Sequence, residues 1–458
     1  MMPDTLNIFF GDAHRCKMGY SKQKIIDIVK KENIKFIRLQ FADIFGAMKN
    51  ISITPSQLEK ALDNRMMFDG SSIDGFVRIE ESDMSLHPDL NSFAIHPWGQ
   101  ESGKVARLIC DVYRQGEPFE GDPRNVLRKA LKRAADMGFS MNVGPECEFY
   151  LLRNDERGYP TLDAYDRGGY FDLGPNDIGE EARKDIVLAL EDLGFVIEAS
   201  HHECGPAQHE IDFRYEEALH AADSIQTFKY AVKSVAEMRN LYATFMPKPL
   251  FGQAGNGMHL NMSLERDGEN AFVDEGDANG LSKEAYSFMA GIMKHIEGIT
   301  IFTNPLVNSY KRLVPDFEAP VYIAWSAQNR SPLIRVPSSR GKGTRIELRS
   351  PDPAANPYLA LALCLEAGLD GIRNQWKPPR SIDKNIFEMS RRELTRSGVK
   401  KLPGNLYEAI RKVEKDSFVA NVLGEHIYDR YLAAKRSEWE EYSRRVSNWE
   451  IETYLYKY

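Results

Sequence analysis

Cysteine is scarce in this sequence of 458 residues. The five cysteines form no CxxC pair and are spread over the chain, at Cys16, Cys110, Cys147, Cys204 and Cys364. Secreted domains that depend on disulfides carry dense, even sets of cysteines, whereas a sparse odd set is typical of reduced thiols. The cysteine usage therefore favours a cytoplasmic protein without a disulfide framework.

Long hydrophobic runs are also absent. The longest candidate, "YLALALCLEAGL", is interrupted by Glu366, and a helix that spans a bilayer needs about 20 apolar residues. The N-terminal stretch "MMPDTLNIFFGDAHRCKMGY" contains acidic residues and no sustained apolar core, so it is a poor signal peptide. We expect no membrane association and an N-terminal extension over residues 1–19.

Positive charge is not in excess. Lys and Arg number 59 against 67 Asp and Glu, which gives a net charge of -8 without long blocks of either sign. Sequence-independent binding of nucleic acid depends on basic surfaces, so we expect no direct binding of nucleic acid. The hydrophobic share of 42% is ordinary for a globular protein, and the length predicts more than one structural unit.

The first part of the chain is predicted to form a small α+β unit. A helix is expected between Tyr20 and Asn33, followed by strands at "IKFIRLQFAD", "AMKNISIT" and "KVARLICDVY". Asp122 and Pro123 have the residue types of a helix N-cap and first turn. We therefore place the boundary between residues 20–121 and a second unit, 122–458.

The second unit is predicted to combine a largely antiparallel sheet with helices. Strands are expected at "FVIEAS", "QHEIDF", "TFMPKP" and "GMHLNMSL", and a long helix over roughly 217–242. The links between strands such as "FVIEAS" and "QHEIDF" are too short for a helical crossover, which favours antiparallel pairing. The last hundred residues are expected to be mostly helical.

The stretch "GPECEFYLL" places two glutamates in a buried strand. Glu146 and Glu148 are two residues apart and therefore point to the same face, while Cys147, Phe149 and Leu151 point to the other. Two like charges side by side repel each other and lose hydration when the face is enclosed. A cationic partner is expected opposite them.

Four further residues have a similar half-apolar, strand-like context: Glu203, Glu210, His259 and Glu347. Each taken alone is more often a surface carboxylate or a hydrogen-bonded histidine. Together with the glutamate pair they offer three ligands to each of two divalent cations. The combination favours a metal site, although spacing alone does not bring the six residues together.

Several arginines lie beside apolar residues in the C-terminal half. Arg312, Arg330, Arg335 and Arg349 suit bidentate binding of carboxylate or phosphate oxygens, whereas for Arg345 we favour a structural salt bridge with nearby acids. "PDFEAPVY" reads as a mobile loop with Glu318 at its centre. A two-metal phosphohydrolase would also fit the metal residues, but it would not need four arginines and such a loop.

The order and spacing of several motifs point to a known family. The chain from about Ser21 onward contains, in order, "MFDGSSI", "GPECEF", "HHE…QHEIDF", "FMPKP", "GMH", "NSYKRL", "EAP", "AQNRSPLIR" and "RSPDPAANPYL". With these stretches the chain resembles class I glutamine synthetase, the short bacterial form. The resemblance implies an N-terminal β-grasp domain, a catalytic domain with a curved antiparallel half-barrel, and a homo-dodecamer of two hexameric rings.

The resemblance also implies a reaction. ATP would activate the γ-carboxylate of L-glutamate as γ-glutamyl phosphate, and ammonia, bound as ammonium, would then give L-glutamine, ADP and phosphate. Two or more Mg²⁺ or Mn²⁺ ions per site would assist. A γ-glutamyl-polyamine ligase and a catalytically silent regulatory relative are the alternatives, and the intact "FDGSSI" and "FEAP" stretches favour ammonia.

Site residues follow from the same resemblance. One metal would take Glu148, Glu203 and Glu210, and the other Glu146, His259 and Glu347. Nucleotide positions would be Glu198, Asn261, Met262, Ser263, Arg330 and Arg335. Glutamate positions would be Gly255, Arg312, Glu318, Arg330 and Arg349, with Asp69 at the ammonium site, so that Asp69, Glu318, Arg330 and Arg349 are the catalytic candidates.

Control of activity is implied in the same way. The region "RSGVKKLPGN" lacks the tyrosine that the longer, adenylylated form carries, so inhibition by glutamine is expected, with Arg78 linking glutamine occupancy to inhibition. A nitrogen-response transcription regulator is a candidate partner. Two departures from the family pattern are Ala254 for an asparagine and Asn256 for a serine. A third is "CGPAQ", where an alanine-proline-glycine order is commoner.

Overall fold

The computed structural model describes residues 19–73, 75–76, 83–315, 317, 319–384 and 386–458. The first part contains two helices and seven strands among these residues, as predicted in outline. They are α1 (Lys22–Lys31), β1 (Phe36–Ala42), β2 (Met48–Ile53), α2 (Leu58–Leu62), β3 (Met66–Asp69), β4 (Asp83–Pro88), β5 (Ala94–Ile95), β6 (Val105–Arg114) and β7 (Glu117–Pro118).

The strands of this part form one sheet. Its order is β2-β1-β6-β4-β3, and β5 and β7 pair with β6. β1 and β2 pair antiparallel as a hairpin, whereas β1 and β6 run parallel. A core of aliphatic and aromatic side chains fills one face of the sheet, including Ile37, Leu39 and Leu108, each fully buried.

The strands of the remaining chain join an eleven-stranded sheet. They are β8 (Ser140–Asn154), β9 (Pro160–Ala164), β10 (Ile197–His202), β11 (Gln208–Phe213), β12 (Glu216–Glu217), β13 (Leu241–Thr244), β14 (Met258–Arg266), β15 (Glu269–Asn270), β16 (Trp325–Ser326), β17 (Ile334–Arg335) and β18 (Ile346–Leu348). The central path is β10-β11-β8-β14-β18-β17-β16. All of these neighbours pair antiparallel except β16 with β17.

Helices cover the sheet and form the C-terminal part. They are α3 (Pro123–Asp136), α4 (Glu180–Asp192), α5 (Ala218–Met238), α6 (Lys283–Thr303), α7 (Ser309–Arg312), α8 (Pro357–Arg373), α9 (Arg391–Ser397), α10 (Leu406–Val413), α11 (Ser417–Leu423), α12 (Glu425–Arg444) and α13 (Asn448–Tyr454). The expected α+β class is confirmed. Within the described ranges, no helix has both the length and the apolarity needed to cross a bilayer.

Helix α3 begins as its sequence predicts. Asp122 is the N-cap and accepts a hydrogen bond from the backbone N–H of Arg124, and Pro123 occupies the first turn. The Arg124 side chain is buried and contacts Asp89 and Asp111 of the first part as well as Asp223 of α5, at 2.6–2.8 Å. This arginine therefore ties the N-terminal sheet to the helices of the second unit.

One strand prediction was wrong. "TFMPKP" was expected to be a strand, but β13 ends at Thr244 and the following residues to 257 are irregular. Pro247 and Pro249 lack the N–H that a sheet ladder requires, which explains why the strand stops. The irregular stretch supplies Ala254 and Gly255 to the larger cavity described below.

Candidate active site

Strand register brings the predicted ligands together. In the antiparallel pair β8–β14, Glu146 lies directly opposite His259, and in the pair β8–β11, Glu148 lies opposite Glu210. The apolar face of β8 is confirmed, since Cys147, Phe149 and Leu151 are fully buried. The two glutamates of β8 therefore each face a residue of a different neighbouring strand.

A third strand completes a first group of candidate metal ligands, which consists of Glu146, His259 and Glu347. Glu347 of β18 lies opposite Asn261 of β14, and Arg335 of β17 lies opposite Glu347. Asn261 is two residues from His259 and so shares its face of β14. As a result, one ligand atom each from Glu146, His259 and Glu347 lie within 4.8 Å of one another.

Hydrogen bonds hold Glu146 as a carboxylate. Its Oε2 lies 3.1 Å from His259 Nδ1, and its Oε1 accepts a hydrogen bond of 2.9 Å from the Asn261 amide. Burial alone would raise the pKa of Glu146, but His259, Asn261 and the charge of Arg349 together lower this pKa to about 2. Glu146 is therefore ionised at neutral pH.

Glu347 is 1% exposed and carries two ion pairs. Its oxygens accept hydrogen bonds of 2.7 Å from Arg335 and 2.7 Å from Arg349. The buried Nε of Arg349 has no hydrogen-bond partner among the described residues. Two guanidinium groups thus compensate one buried carboxylate, and one of them keeps a donor for another ligand.

The second group of candidate ligands consists of Glu148, Glu203 and Glu210 and is richer in negative charge. Glu148 Oε2 accepts hydrogen bonds from the Gly257 N–H at 2.8 Å and the Gln208 amide at 3.0 Å. Burial, and then the charges of Glu148, Asp212 and other nearby carboxylates, raise the pKa of Glu210 well above its usual range. Glu203, at 7% exposure, is one of those carboxylates.

Divalent cations fit both groups. The donors are carboxylate oxygens and one imidazole, which suit Mg²⁺ and Mn²⁺, and the crowding of buried carboxylates is relieved by a cation between them. A further triplet, His201, Glu210 and Asp212, has ligand atoms within 4.8 Å and shares Glu210 with the second group. The geometry is that of a cation site with oxygen-rich ligands.

Two cavities meet at these carboxylates. The larger, about 800 Å³, is lined by Glu148, Glu203, Gly255, His259, Arg312, Arg330 and Arg349, among others. The smaller, about 420 Å³, is lined by Glu146, Glu198, Asn261, Ser263 and Arg345, among others. Since His259 and Glu146 are 3.1 Å apart and line different cavities, the first ligand group lies between the two.

Some predicted residues lie elsewhere. The side chain of Met262 is fully buried in the core, because it alternates with Asn261 and Ser263 along β14. Asp69, exposed at the end of β3, accepts a hydrogen bond of 2.8 Å from the Ser71 N–H and lines neither cavity. Glu318 and Arg78 fall outside the described residues.

The interpretation of Arg345 as a salt-bridge residue was wrong. Its Nε donates to Asn261 Oδ1 at 2.9 Å and its NH1 to the Gly343 carbonyl, and its side chain lines the smaller cavity. Within the described residues the acid beside it in sequence, Glu347, is paired instead with Arg335 and Arg349. Arg345 precedes β18 and reaches Asn261 of β14, while Glu347 is held by Arg335 and Arg349, so proximity in sequence does not decide the pairing.

Sequence reasoning missed the residues that support the ligands. Gln208 bonds to Glu148 and also to Asn256 Oδ1, at 3.2 Å, while the Asn256 amide donates to the Met246 carbonyl. Asn256, which replaces the serine of the family pattern, is fully buried and fastens this loop. Gln208 is the first residue of the predicted strand "QHEIDF". A polar side chain in a strand that is expected to be buried could have indicated this supporting role.

Comparison with known families matches nearly the whole chain. A family model described as glutamine synthetase, catalytic domain, matches residues 120–454. A second, described as glutamine synthetase, beta-Grasp domain, matches residues 33–115. Together they agree with the two sheets and with the order of the predicted units.

Curated relatives are similar over almost their full length. A glutamine synthetase of Clostridium saccharobutylicum is 60% identical over 440 residues, which cover 96% of this chain and 99% of the relative. A glutamine synthetase of Staphylococcus aureus (strain Mu50) is 57% identical over 444 residues, covering 96% and 100%. These relatives do not favour the polyamine-ligase alternative.

Solved structures share the fold. A GmaS/ADP complex superposes with a TM-score of 0.85 at 33% identity and covers 94% of this chain and 99% of the other. A Plasmodium falciparum glutamine synthetase gives a TM-score of 0.84 at 26% identity, covering 95% and 99%. The chain belongs to the glutamine synthetase family, in its class I bacterial form, and is an ATP-dependent glutamate–ammonia ligase of a family that uses divalent metal ions.

Proposed function

We propose that L-glutamate binds in the larger cavity, that ATP binds in the smaller one, and that phosphoryl transfer occurs at the carboxylates between them. One observation carries this assignment: Glu146, His259 and Glu347 converge where the two cavities meet. A carboxylate is a poor electrophile, so its oxygen must first be phosphorylated, and this requires both substrates to reach one point.

The arginines of the larger cavity are assigned to substrate charge. The buried Nε of Arg349 has no hydrogen-bond partner among the residues that the structure describes, and Arg330 is exposed in the cavity wall. Guanidinium groups bind carboxylate and phosphoryl oxygens in a fixed geometry and offset the charge on a transferring phosphoryl group. We assign Arg349 and Arg312 to glutamate, Arg330 to the transferred group, and Gly255 to a backbone contact with glutamate.

The smaller cavity is assigned to the nucleotide. Glu198, Asn261 and Ser263 line it, and Arg335 donates a hydrogen bond to Glu347, which lies opposite Asn261. Met262 contributes through its backbone, because its side chain lies in the core. Arg345, which also lines this cavity, adds a cation near the position of the phosphates.

Two divalent ions, Mg²⁺ or Mn²⁺, are assigned to the two ligand groups. Glu148, Glu203 and Glu210 would hold one, and Glu146, His259 and Glu347 the other. When bound, the ions supply positive charge that stabilises the phosphoryl group and its leaving group. The chain's own contribution is to fix the ligand directions through Gln208, Asn261 and the two arginines on Glu347.

Ammonium is assigned to Asp69 of a neighbouring copy in a homo-dodecamer of two hexameric rings. Deprotonation of ammonium needs a carboxylate within hydrogen-bond reach, and the glutamates between the cavities are assigned to metal. Glu318 would close the site against water.

We also propose glutamine feedback through Arg78, a nitrogen-response transcription regulator as partner, and a cytoplasmic location, where ATP and glutamate are supplied.

The test is phosphate release that depends on ATP, glutamate and ammonium together. Glu347→Ala should lower this rate about 100-fold or more at saturating metal, the size typical of losing one electrostatic stabiliser of a transition state. Glu269→Ala, on the exposed end of β15, is the matched control and should leave the rate unchanged. A near-normal rate of phosphate release in Glu347→Ala would contradict the site assignment. In the same assay of the parent enzyme, polyamines should not replace ammonium as the nucleophile.

A further inference from the structure

A buried hydrogen-bond network lies beneath the second ligand group, centred on Asp166. This side chain is 3% exposed and belongs to the loop before α4. Its Oδ1 accepts hydrogen bonds from Ala207 N at 2.7 Å, His202 Nε2 at 2.9 Å and Gly168 N at 3.2 Å. Its Oδ2 accepts one from Gly179 N at 3.2 Å. The two oxygens of Asp166 thus accept four hydrogen bonds, three from backbone N–H groups and one from His202.

Both ring nitrogens of His202 are engaged in hydrogen bonds. Its Nε2 faces the Asp166 carboxylate, and its Nδ1 lies 2.7 Å from the backbone carbonyl of Glu203. The ring is therefore held at both nitrogens, by a side chain on one side and by the backbone on the other. The side chain is fully buried, and a Cβ on Gly168 would come within 2.7 Å of its Nε2. The imidazole ring is thus enclosed against Asp166 and fastened to the backbone of Glu203.

The same two residues hold both ends of the turn between β10 and β11. Glu203 N donates to Gln208 O at 2.7 Å to close this turn. Ala207 within it has a φ of +60°, a left-handed conformation that is strained for a residue with a Cβ. The bond from the Ala207 N–H to Asp166 compensates that strain and sets the direction of Gln208, which supports Glu148.

The cluster itself is not suited to a metal ion, although four ligand atoms of Asp166, Asp177, His202 and His209 lie within 4.8 Å. A guanidinium already supplies the positive charge there. Arg183 NH1 lies 2.8 Å from Asp177 and 3.0 Å from His209 Nδ1. Both nitrogens of His202 are engaged as well, so its role is to position other groups.

We propose that Asp166 and His202 are positioning residues for the divalent ion held by Glu148, Glu203 and Glu210. The hydrogen-bonded pair of Asp166 and His202 fixes the turn that carries Glu203 at one end and Gln208, the partner of Glu148, at the other. This inference rests on the proposed assignment of those three glutamates as ligands. Outer partners of metal ligands typically contribute 10- to 100-fold in metal affinity, and the same range is expected here.

The test measures Mn²⁺ binding to the assembled enzyme without substrates, from the electron paramagnetic resonance signal of free Mn²⁺. Glu203→Gln and Glu347→Gln serve as references, each expected to lose one of the two sites. Asp166→Asn keeps the side-chain shape but removes its charge and sets an amide against the Gly179 N–H. It should weaken by about 10- to 100-fold the site that Glu203→Gln loses, and leave the other unchanged.

A second variant and a control separate positioning from general damage. His202→Gln retains a donor toward Asp166 but loses the bond to the Glu203 carbonyl, so it should weaken the same site. Asp370→Asn removes a similar pair, His295 Nε2 to Asp370 at 2.9 Å, between α6 and α8, and should leave both sites intact.

Suppose that Glu203→Gln loses one site as expected. Parent-like Mn²⁺ binding in both Asp166→Asn and His202→Gln would then overturn the positioning role alone. Equal weakening of both sites in these variants would do the same. Unchanged binding in Glu203→Gln would overturn the ligand assignment and this inference with it. If Asp166→Asn does not assemble, His202→Gln decides the matter by the same comparison.

Discussion

Gly205 and Ala207 show how single residues shape the turn that presents Glu203. A Cβ on Gly205 would lie 2.0 Å from the Tyr150 hydroxyl oxygen, which donates to the Ala254 carbonyl at 2.7 Å. Ala207 occupies a left-handed conformation where glycine is favoured. The family pattern has glycine at this place, and the bond to Asp166 makes alanine tolerable here.

We therefore expect damage from one small substitution in this turn and little change from another. Gly205→Ala should displace Tyr150, move the loop at Ala254 and lower both glutamate-dependent activity and the melting temperature. Ala207→Gly relieves about 1–2 kcal/mol of strain, offset by roughly 0.5–1 kcal/mol of unfolded-chain entropy, so stability should be unchanged or rise by up to about 1.5 kcal/mol. Thermal unfolding and activity of both variants check this, and greater damage from Ala207→Gly would contradict it.

Side-chain alternation is the part of the site that sequence predicts at this scale. Glu146 and Glu148 share a face of β8 while Cys147 and Phe149 are buried, because the period of a strand is two. The same rule places Met262 in the core between Asn261 and Ser263, which the resemblance alone did not reveal. Which residue lies opposite each glutamate is not a property of one strand, so it could not be predicted in this way.

Pairing between elements decides the rest of the site. Glu347 reaches Glu146 and His259 only because β18 lies beside β14 and β14 beside β8, a register between segments far apart in sequence. Local patterns predict the strands but carry no information about such distant registers. The family resemblance supplied the convergence, whereas the supporting bonds of Gln208 and Arg345 required coordinates.

The contact between the N-terminal sheet and α5 contains a histidine that resists protonation. His96 is 2% exposed and its ring lies 5.0 Å from Trp98 and 5.4 Å from Tyr230 of α5, measured between centroids. Burial, together with the charges of Arg107 and Arg38, lowers its pKa to about 3. The folded protein therefore keeps His96 neutral at pH values where an unfolded chain protonates it.

This pKa predicts a loss of stability in acid. The unfolded chain binds a proton below pH 6.5 and the folded chain does so only near pH 3, so stability is lost as the pH falls between these values. At pH 5 the loss from this group is about 2 kcal/mol. His96→Phe keeps the ring contacts and cannot titrate, so it should be less sensitive to acid by that amount.

The measurement compares the free energy of unfolding of parent and His96→Phe at pH 7.5 and at pH 5. Their difference at pH 7.5 reports packing alone, because His96 is neutral in both states there. The difference should shift by about 2 kcal/mol in favour of the variant at pH 5. An equal difference at the two pH values would contradict the role of His96.

At the scale of the whole molecule, the proposed site lies in two parts of the chain. Asp69 ends β3 in the N-terminal sheet, whereas the six proposed metal ligands lie on or beside strands of the second unit. Asp69 is exposed and lies outside both cavities of its own chain. The predicted domain boundary between residues 121 and 122 would separate Asp69 from the six metal ligands. This boundary stays a prediction.

A shared site predicts rescue between inactive chains. Asp69→Ala and Glu347→Ala should each be nearly inactive alone. When they are unfolded and reassembled together, some contacts between neighbours pair an intact Asp69 with an intact Glu347, and a fraction of the parent rate should return. Mixed assemblies, verified by differently tagged chains, that show no recovery would place Asp69 in its own chain's site or outside the chemistry.

The central claim is that two divalent ions lie between the cavities on two defined sets of ligands. The most direct measurement is a crystal structure of the enzyme with Mn²⁺ and ADP, with the metal located by anomalous scattering. The account predicts one peak among Glu146, His259 and Glu347 and a second among Glu148, Glu203 and Glu210. Density at other residues, or no peak beside Glu347, would contradict it.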